Sequence, residues 1–167
     1  MRPDLKFDFI VDKSNCTITI NREFAAKRQI VWDCHTKKEL LDRWFAPEPL
    51  TTKTKHMDFS EGGYWHYAMI DPTGTAYWSR IDYQTIQPIE RYTALDGFSD
   101  EAGTLNPDMP RSNWEVTFTD AAAHTLVRTV VAYQSADDIE KVIAMGLKEG
   151  MASTLERLDK LLLTLVS

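Results

Sequence analysis

The chain has 167 residues, 43% hydrophobic and 26% charged, which fits one domain, spanning 1–167, with a core of ordinary size. Its net charge of −6 argues against a general nucleic-acid binder, which needs clustered cations, and disfavours an anionic membrane surface. No apolar run is long enough to span a bilayer. Met1 to Val11 carries Asp4 and Asp8 and no unbroken apolar stretch, so it does not read as a signal peptide. Cys16 and Cys34 lack C-x-x-C spacing and are expected as reduced thiols in a cytoplasmic protein.

In chain order, Leu5, Phe7, Phe9 and Val11 alternate with polar residues, Ile10 being the exception. Lys13-Ser14-Asn15 makes a turn, and Ile18 and Ile20 then alternate with Thr17, Thr19 and Asn21, which predicts a hairpin. Short helices are predicted near 27–34 and 37–44, with Pro47 ending the second. Thr36 and Glu39 have the form of a capping box for it. Strands are predicted near 50–59, 63–70, 75–86, 89–98, 112–119 and 124–133. Short links such as Asp71-Pro72-Thr73-Gly74 and Gln87-Pro88 make successive strands antiparallel neighbours. The segment 99–111, with Gly103, Pro107 and Pro110, is a longer loop.

Ser135 is the candidate N-cap of a final helix over 136–164. Ile139, Val142, Ile143, Leu147, Met151, Leu155, Leu158, Leu161, Leu162 and Leu165 recur along it at helical spacing. About 28 residues make a rod of about 42 Å, which needs a large apolar partner. The elements assemble as α+β: a curved antiparallel sheet wrapped around the long C-terminal helix, one face apolar and the other wet.

The strands also show where chemistry could sit. Tyr77, Ser79, Ile81 and Tyr83 oppose Trp78, Arg80, Asp82 and Gln84, and Trp114, Val116 and Phe118 oppose Glu115, Thr117 and Thr119. For 64–70 the alternation leaves either face open. Asp96 shares a face with Tyr92, Ala94 and Phe98. An inward carboxylate is costly unless paired. It would pair with a neighbouring Tyr, Arg or backbone N–H, anchor a polar ligand group, or act as a general base. Arg80 or Arg128 would be its cation if either turned inward. His35, His56, His66 and His124 lie on different elements without metal-ligand spacing, so no metal is expected. Gly62-Gly63 is a turn, and no nucleophile elbow, P-loop or dinucleotide fingerprint is present, so no cofactor is expected either.

V-W-D-x-x-T-x-x-x-x-L-x-x-W-F-x-P at 31–47 resembles the opening of the SRPBCC (START-like) proteins, in the branch named after the activator of heat-shock protein 90 ATPase. Further pieces follow in order: Gly62-Gly63 before an aromatic strand, Ile86-Gln87-Pro88-Ile89-Glu90-Arg91, Asp96-Gly97-Phe98-Ser99-Asp100-Glu101, Val116-Thr117-Phe118, and Gly150 with Leu155-Glu156-Arg157-Leu158. The resemblance spans about residues 16–165. Three positions depart from it. Lys27 stands where the pattern has Pro, Ala46 where it has Gly, and Met151 where it has Trp. The resemblance implies the helix-grip topology, Trp65, Tyr67 and Met69 facing inward, and a cavity between sheet and helix.

A cavity of roughly 300–1,000 Å³ is therefore expected. Its expected lining is Trp44, Trp65, Tyr67, Met69, Tyr77, Ile81, Tyr83, Trp114, Leu147 and Met151, with Asp96 as a positioning carboxylate. Three functions compete. One is binding of an apolar, aromatic or lipid- or polyketide-like small molecule by a monomer or homodimer. The second is a cyclase- or hydrolase-type enzyme acting in the same cavity, for which no sequence motif calls. The third is a chaperone co-regulator, the weakest, because the activators that name the branch carry a separate N-terminal chaperone-binding domain for which 167 residues leave no room.

Overall fold

A computed structural model describes residues 5–165. Met1 to Asp4, part of the segment read above for a leader, and Val166 and Ser167 lie outside the described residues. The strands are β1 (Phe7–Asp12), β2 (Thr17–Phe24), β3 (Thr51–Met57), β4 (Tyr64–Ile70), β5 (Ala76–Gln87), β6 (Arg91–Phe98), β7 (Ser112–Ala121) and β8 (His124–Ala132). They form one antiparallel sheet in the order β1-β2-β8-β7-β6-β5-β4-β3. Helices α1 (Arg28–Thr36) and α2 (Lys38–Leu41) follow β2, and α3 (Ala136–Ala144) and α4 (Leu147–Leu165) end the chain.

Register places one set of side chains on the concave face. Ile18 pairs with Val131, Val131 with Trp114, Trp114 with Ala94, and Ala94 with Tyr83, so one row crosses five strands. The next row runs Ile20, Thr129, Val116, Tyr92. Because side chains alternate, a one-residue slip would send both rows to the other face. Register shifts between Thr54 and His56 and between Tyr83 and Thr85 bend β3 and β5, which helps the sheet curl. Leu155, Leu158, Leu161 and Leu162 of α4 are buried in the core with this face.

The C-terminal helix is not continuous. α3 stops at Ala144, and Gly146 takes φ +92° before α4 begins. Left-handed backbone ends a helix, and glycine adopts it without the Cβ penalty. The apolar spacing runs through this break, so periodicity alone reads one rod. Ser135 does cap α3, accepting from the Asp138 N–H.

The Thr36–Glu39 capping box does not form. Thr36 ends α1, and its hydroxyl donates to the Trp32 carbonyl (2.9 Å). Helix α2 starts at Lys38 without a side-chain cap and lasts one turn. What holds this region is tertiary. Trp44 Nε1–H donates to the Cys34 carbonyl (2.9 Å). Arg157 of α4 donates to the carbonyls of Ala46 and Leu50 (2.7 Å each). Asp42 accepts from the Thr54 N–H and hydroxyl, and Trp65 Nε1–H donates to that hydroxyl.

The outer face is only partly wet. Loop 99–111 folds back over it. His66 is buried there and donates from Nε2 to the Asp100 carbonyl (3.0 Å). Arg111 reaches Asp82 (2.7 Å), and a Cβ on Gly97 would come within 2.7 Å of Leu105 and 3.0 Å of the Arg111 Nε. A larger residue there would have to displace the Leu105 and Arg111 side chains.

Trp32 meets Phe59, Tyr92 and Phe118 edge-on, and Trp44 meets His35 and Phe45 the same way. Trp32→Ala and Trp44→Ala should each destabilise by about 3–5 kcal/mol. Denaturant melts read this directly, and losses under about 1 kcal/mol in both would mean that the rings do not hold the helical pair.

Candidate ligand cavity

Between the sheet, α1, α2 and α4 lies a void of about 50 Å³. It is far smaller than the 300–1,000 Å³ expected, because large aromatic side chains occupy the space. A buried water needs roughly 10–15 Å³, so the void exceeds one water, yet it falls below the roughly 150 Å³ of a cavity that takes benzene.

Of the residues expected to line it, Trp44, Trp65, Ile81, Tyr83, Trp114 and Met151 do. Tyr67, Met69, Tyr77, Asp96 and Leu147 are not in the wall. Tyr67 stacks on Trp65 with ring centroids 3.9 Å apart, one layer removed. Tyr77 is on the concave face by register, opposite Met69, but it is 55% exposed and donates to Asp71 (3.2 Å). Parity located it correctly, but it sits at the sheet's margin. Leu147 and Met69 are partly buried against the core.

The wall also includes residues that sequence reasoning missed: Arg22, Phe24, His35, Phe45, Thr129 and Leu155. Arg22 continues the inward alternation Ile18, Ile20, Arg22, Phe24 and is 1% exposed. It is ion-paired with Asp159 of α4 and donates to the Glu23 carbonyl. Its guanidinium also lies 4.9 Å from the Phe24 ring centroid. The inward cation is thus Arg22. Arg80 instead pairs with Asp82 on the outer face, and Arg128 is exposed.

His35 is enclosed by Trp44 and Phe118, each with ring centroids 5.0 Å away. Its Nδ1–H donates to the Val31 carbonyl (2.7 Å), and burial pushes its pKa down to about 4. The imidazole is therefore neutral near pH 7. Cys34 is buried as well, and its thiol is pushed up to about 11, which keeps it protonated and unreactive.

Asp96 lies beside the void in a polar cluster. Its Oδ1 accepts from the Ser112 N–H and hydroxyl, and Trp114 Nε1–H donates to that hydroxyl (2.9 Å). Burial raises the Asp96 pKa despite these bonds and the Arg111 charge. Burial and the Asp96 charge also push the Tyr67 phenol well above its ordinary value. Of the expected partners a backbone N–H holds this carboxylate, and the hydroxyl beside it is that of Ser112, not of a tyrosine.

The family model described as "Activator of Hsp90 ATPase homolog 1-like protein" matches residues 25–163. The chain belongs to this family. Solved structures agree on the helix-grip fold. Protein Ms6760 from Mycobacterium smegmatis is 30% identical with a TM-score of 0.86, over 95% of this chain and 96% of that one. A protein from Arthrobacter aurescens is 25% identical with a TM-score of 0.86, over 91% and 88%. One from Staphylococcus epidermidis is 26% identical with a TM-score of 0.82, over 94% and 95%. No curated protein matches the chain. Among the described residues no helix is long and apolar enough to cross a membrane.

Two pH effects follow. Below pH 6.5 an unfolded chain protonates its histidine, while folded His35 takes up no proton until about pH 4. Stability present above pH 6.5 is therefore lost as pH falls through that window, by about 3 kcal/mol. His35→Phe should flatten this slope in pH-dependent melts, and an unchanged slope would contradict it. Asp96 has the opposite sign. Its raised pKa means that ionisation costs stability as pH rises, so Asp96→Asn should be more stable than wild type at pH 7. The gap should close as pH falls below the ordinary value of 3.8. A variant less stable at pH 7 would show that the negative charge is needed.

Proposed function

We propose that the protein binds a small apolar, aromatic molecule between the sheet and α4. The carrying observation is the void itself, lined by Trp44, Trp65, Trp114, Tyr83, Tyr92 and Met151 among others. Concave apolar surfaces with a few placed polar groups are what small-molecule sites consist of. An occupant larger than a few atoms needs wall side chains to move. Met151 is suited to this, since an unbranched thioether repacks readily, whereas the Trp of the family pattern would be rigid. Phe45, which also lines the void, is a further ring whose rotation would widen it.

A cyclase- or hydrolase-type reaction is the second reading, and Asp96 would be its acid or base. The hydrogen bonds from Ser112 to one oxygen of Asp96 favour a positioning role. A product formed by wild type and abolished in Asp96→Asn would replace binding with catalysis.

Native mass spectrometry of protein purified from its own host should show an adduct that denaturation releases. Neutral aromatic compounds should quench tryptophan fluorescence, because three indoles line the void. Met151→Trp should fill the space, keep the fold and lower both signals at least tenfold. If no adduct and no quenching are found for wild type, the binding reading is wrong.

A further inference from the structure

Resting on the cavity-binding reading, we propose that Arg22 is a ligand-recognition residue whose Nε–H selects a neutral occupant bearing an acceptor oxygen. Arg22 lies at the β2 end of the void, opposite Val127 of β8, which also lines it. Two of its three nitrogens are engaged: one donates to the Glu23 carbonyl, the other pairs with Asp159. The Nε–H is buried and has no hydrogen-bond partner among the described residues. A buried donor without an acceptor is costly, and one acceptor placed on it recovers that cost. An occupant with a carbonyl, ether or hydroxyl oxygen at this end of the void supplies it.

Charge decides between a neutral and an anionic group. Asp159 already faces the guanidinium, so the pair offers no uncompensated positive charge. His35, the other basic side chain in the wall, is neutral at pH 7. A second carboxylate would give up its water for a cation already neutralised, which is unfavourable in an apolar enclosure. A neutral oxygen loses far less water and gains a charge-assisted donor.

The test uses three probes with one ring in common: acetophenone, ethylbenzene and benzoate. In a purely apolar cavity ethylbenzene binds better than acetophenone, because the ketone must shed water. Here acetophenone should bind about tenfold tighter than ethylbenzene, with benzoate the weakest. Arg22→Lys keeps a cation for Asp159 but has no Nε–H in that place, and it should lose the ketone preference while still binding ethylbenzene. The double variant Arg22→Met with Asp159→Leu removes the ion pair together, avoids a stranded charge, and should behave the same way. Equal binding of ketone and hydrocarbon by wild type overturns the role of Arg22 and leaves cavity binding standing. Benzoate as the tightest probe overturns the neutral-ligand assignment. Binding of none of the three by wild type overturns cavity binding, and the role of Arg22 with it.

Discussion

An open sheet of eight strands with one aromatic face must have that face covered, and α4 is what covers it. The rest of the molecule answers this requirement. Segment 44–50 is tied to α4 through Arg157, and α1 is tied to that segment through Trp44 and Cys34. Across the interior, Arg22 on β2 reaches Asp159 on α4, so a buried ion pair joins the sheet to its cover. Such a pair adds little net stability, but removing one partner alone strands a charge. The cover meets bulky rings rather than a smooth layer of aliphatic side chains. Indoles and phenols pack edge-on there and leave irregular space. The small void follows from that packing.

Much of this was legible in the sequence because it rests on period. Alternation located the strands, their short links fixed the antiparallel order, and the apolar stripe at 139–165 marked the covering helix. What was not legible rests on contacts between distant residues. Arg22 is in phase with Ile18, Ile20 and Phe24, yet arginine on a strand reads as solvated. Its partner is 137 positions away and gives no local sign. His35 has no metal-ligand spacing to mark it, and its place in the wall comes from the packing of α1 on β7. Tyr77 had the right parity, but parity says nothing about where along a strand the cover ends. The break at Gly146 did carry a local sign, a glycine within a helical pattern, which the strong apolar period outweighed. The size of the void could not be read at all, since it depends on rotamers of rings that meet from different strands.

The same features account for a small void in an otherwise filled interior. Apolar interiors are close-packed, and a void above one water's size is a local deficit in that packing. Here the deficit is bordered by the Met151 thioether, by aromatic rings, and by α4, which follows the left-handed Gly146. An occupant would replace lost dispersion contacts along its whole surface. The Asp96–Ser112–Trp114 cluster stands one layer behind and sets the position of the Trp114 indole at the wall.

The central claim, that an apolar aromatic guest sits between the sheet and α4, is tested most directly by intermolecular nuclear Overhauser effects. With the protein methyl-labelled and an aromatic probe at saturating concentration, contacts should appear to methyl groups of Ile81, Val116 and Met151, which face the void from β5, β7 and α4. Contacts confined to methyl groups outside the wall, such as Met109 in loop 99–111 or Leu163 on the exposed side of α4, would contradict it.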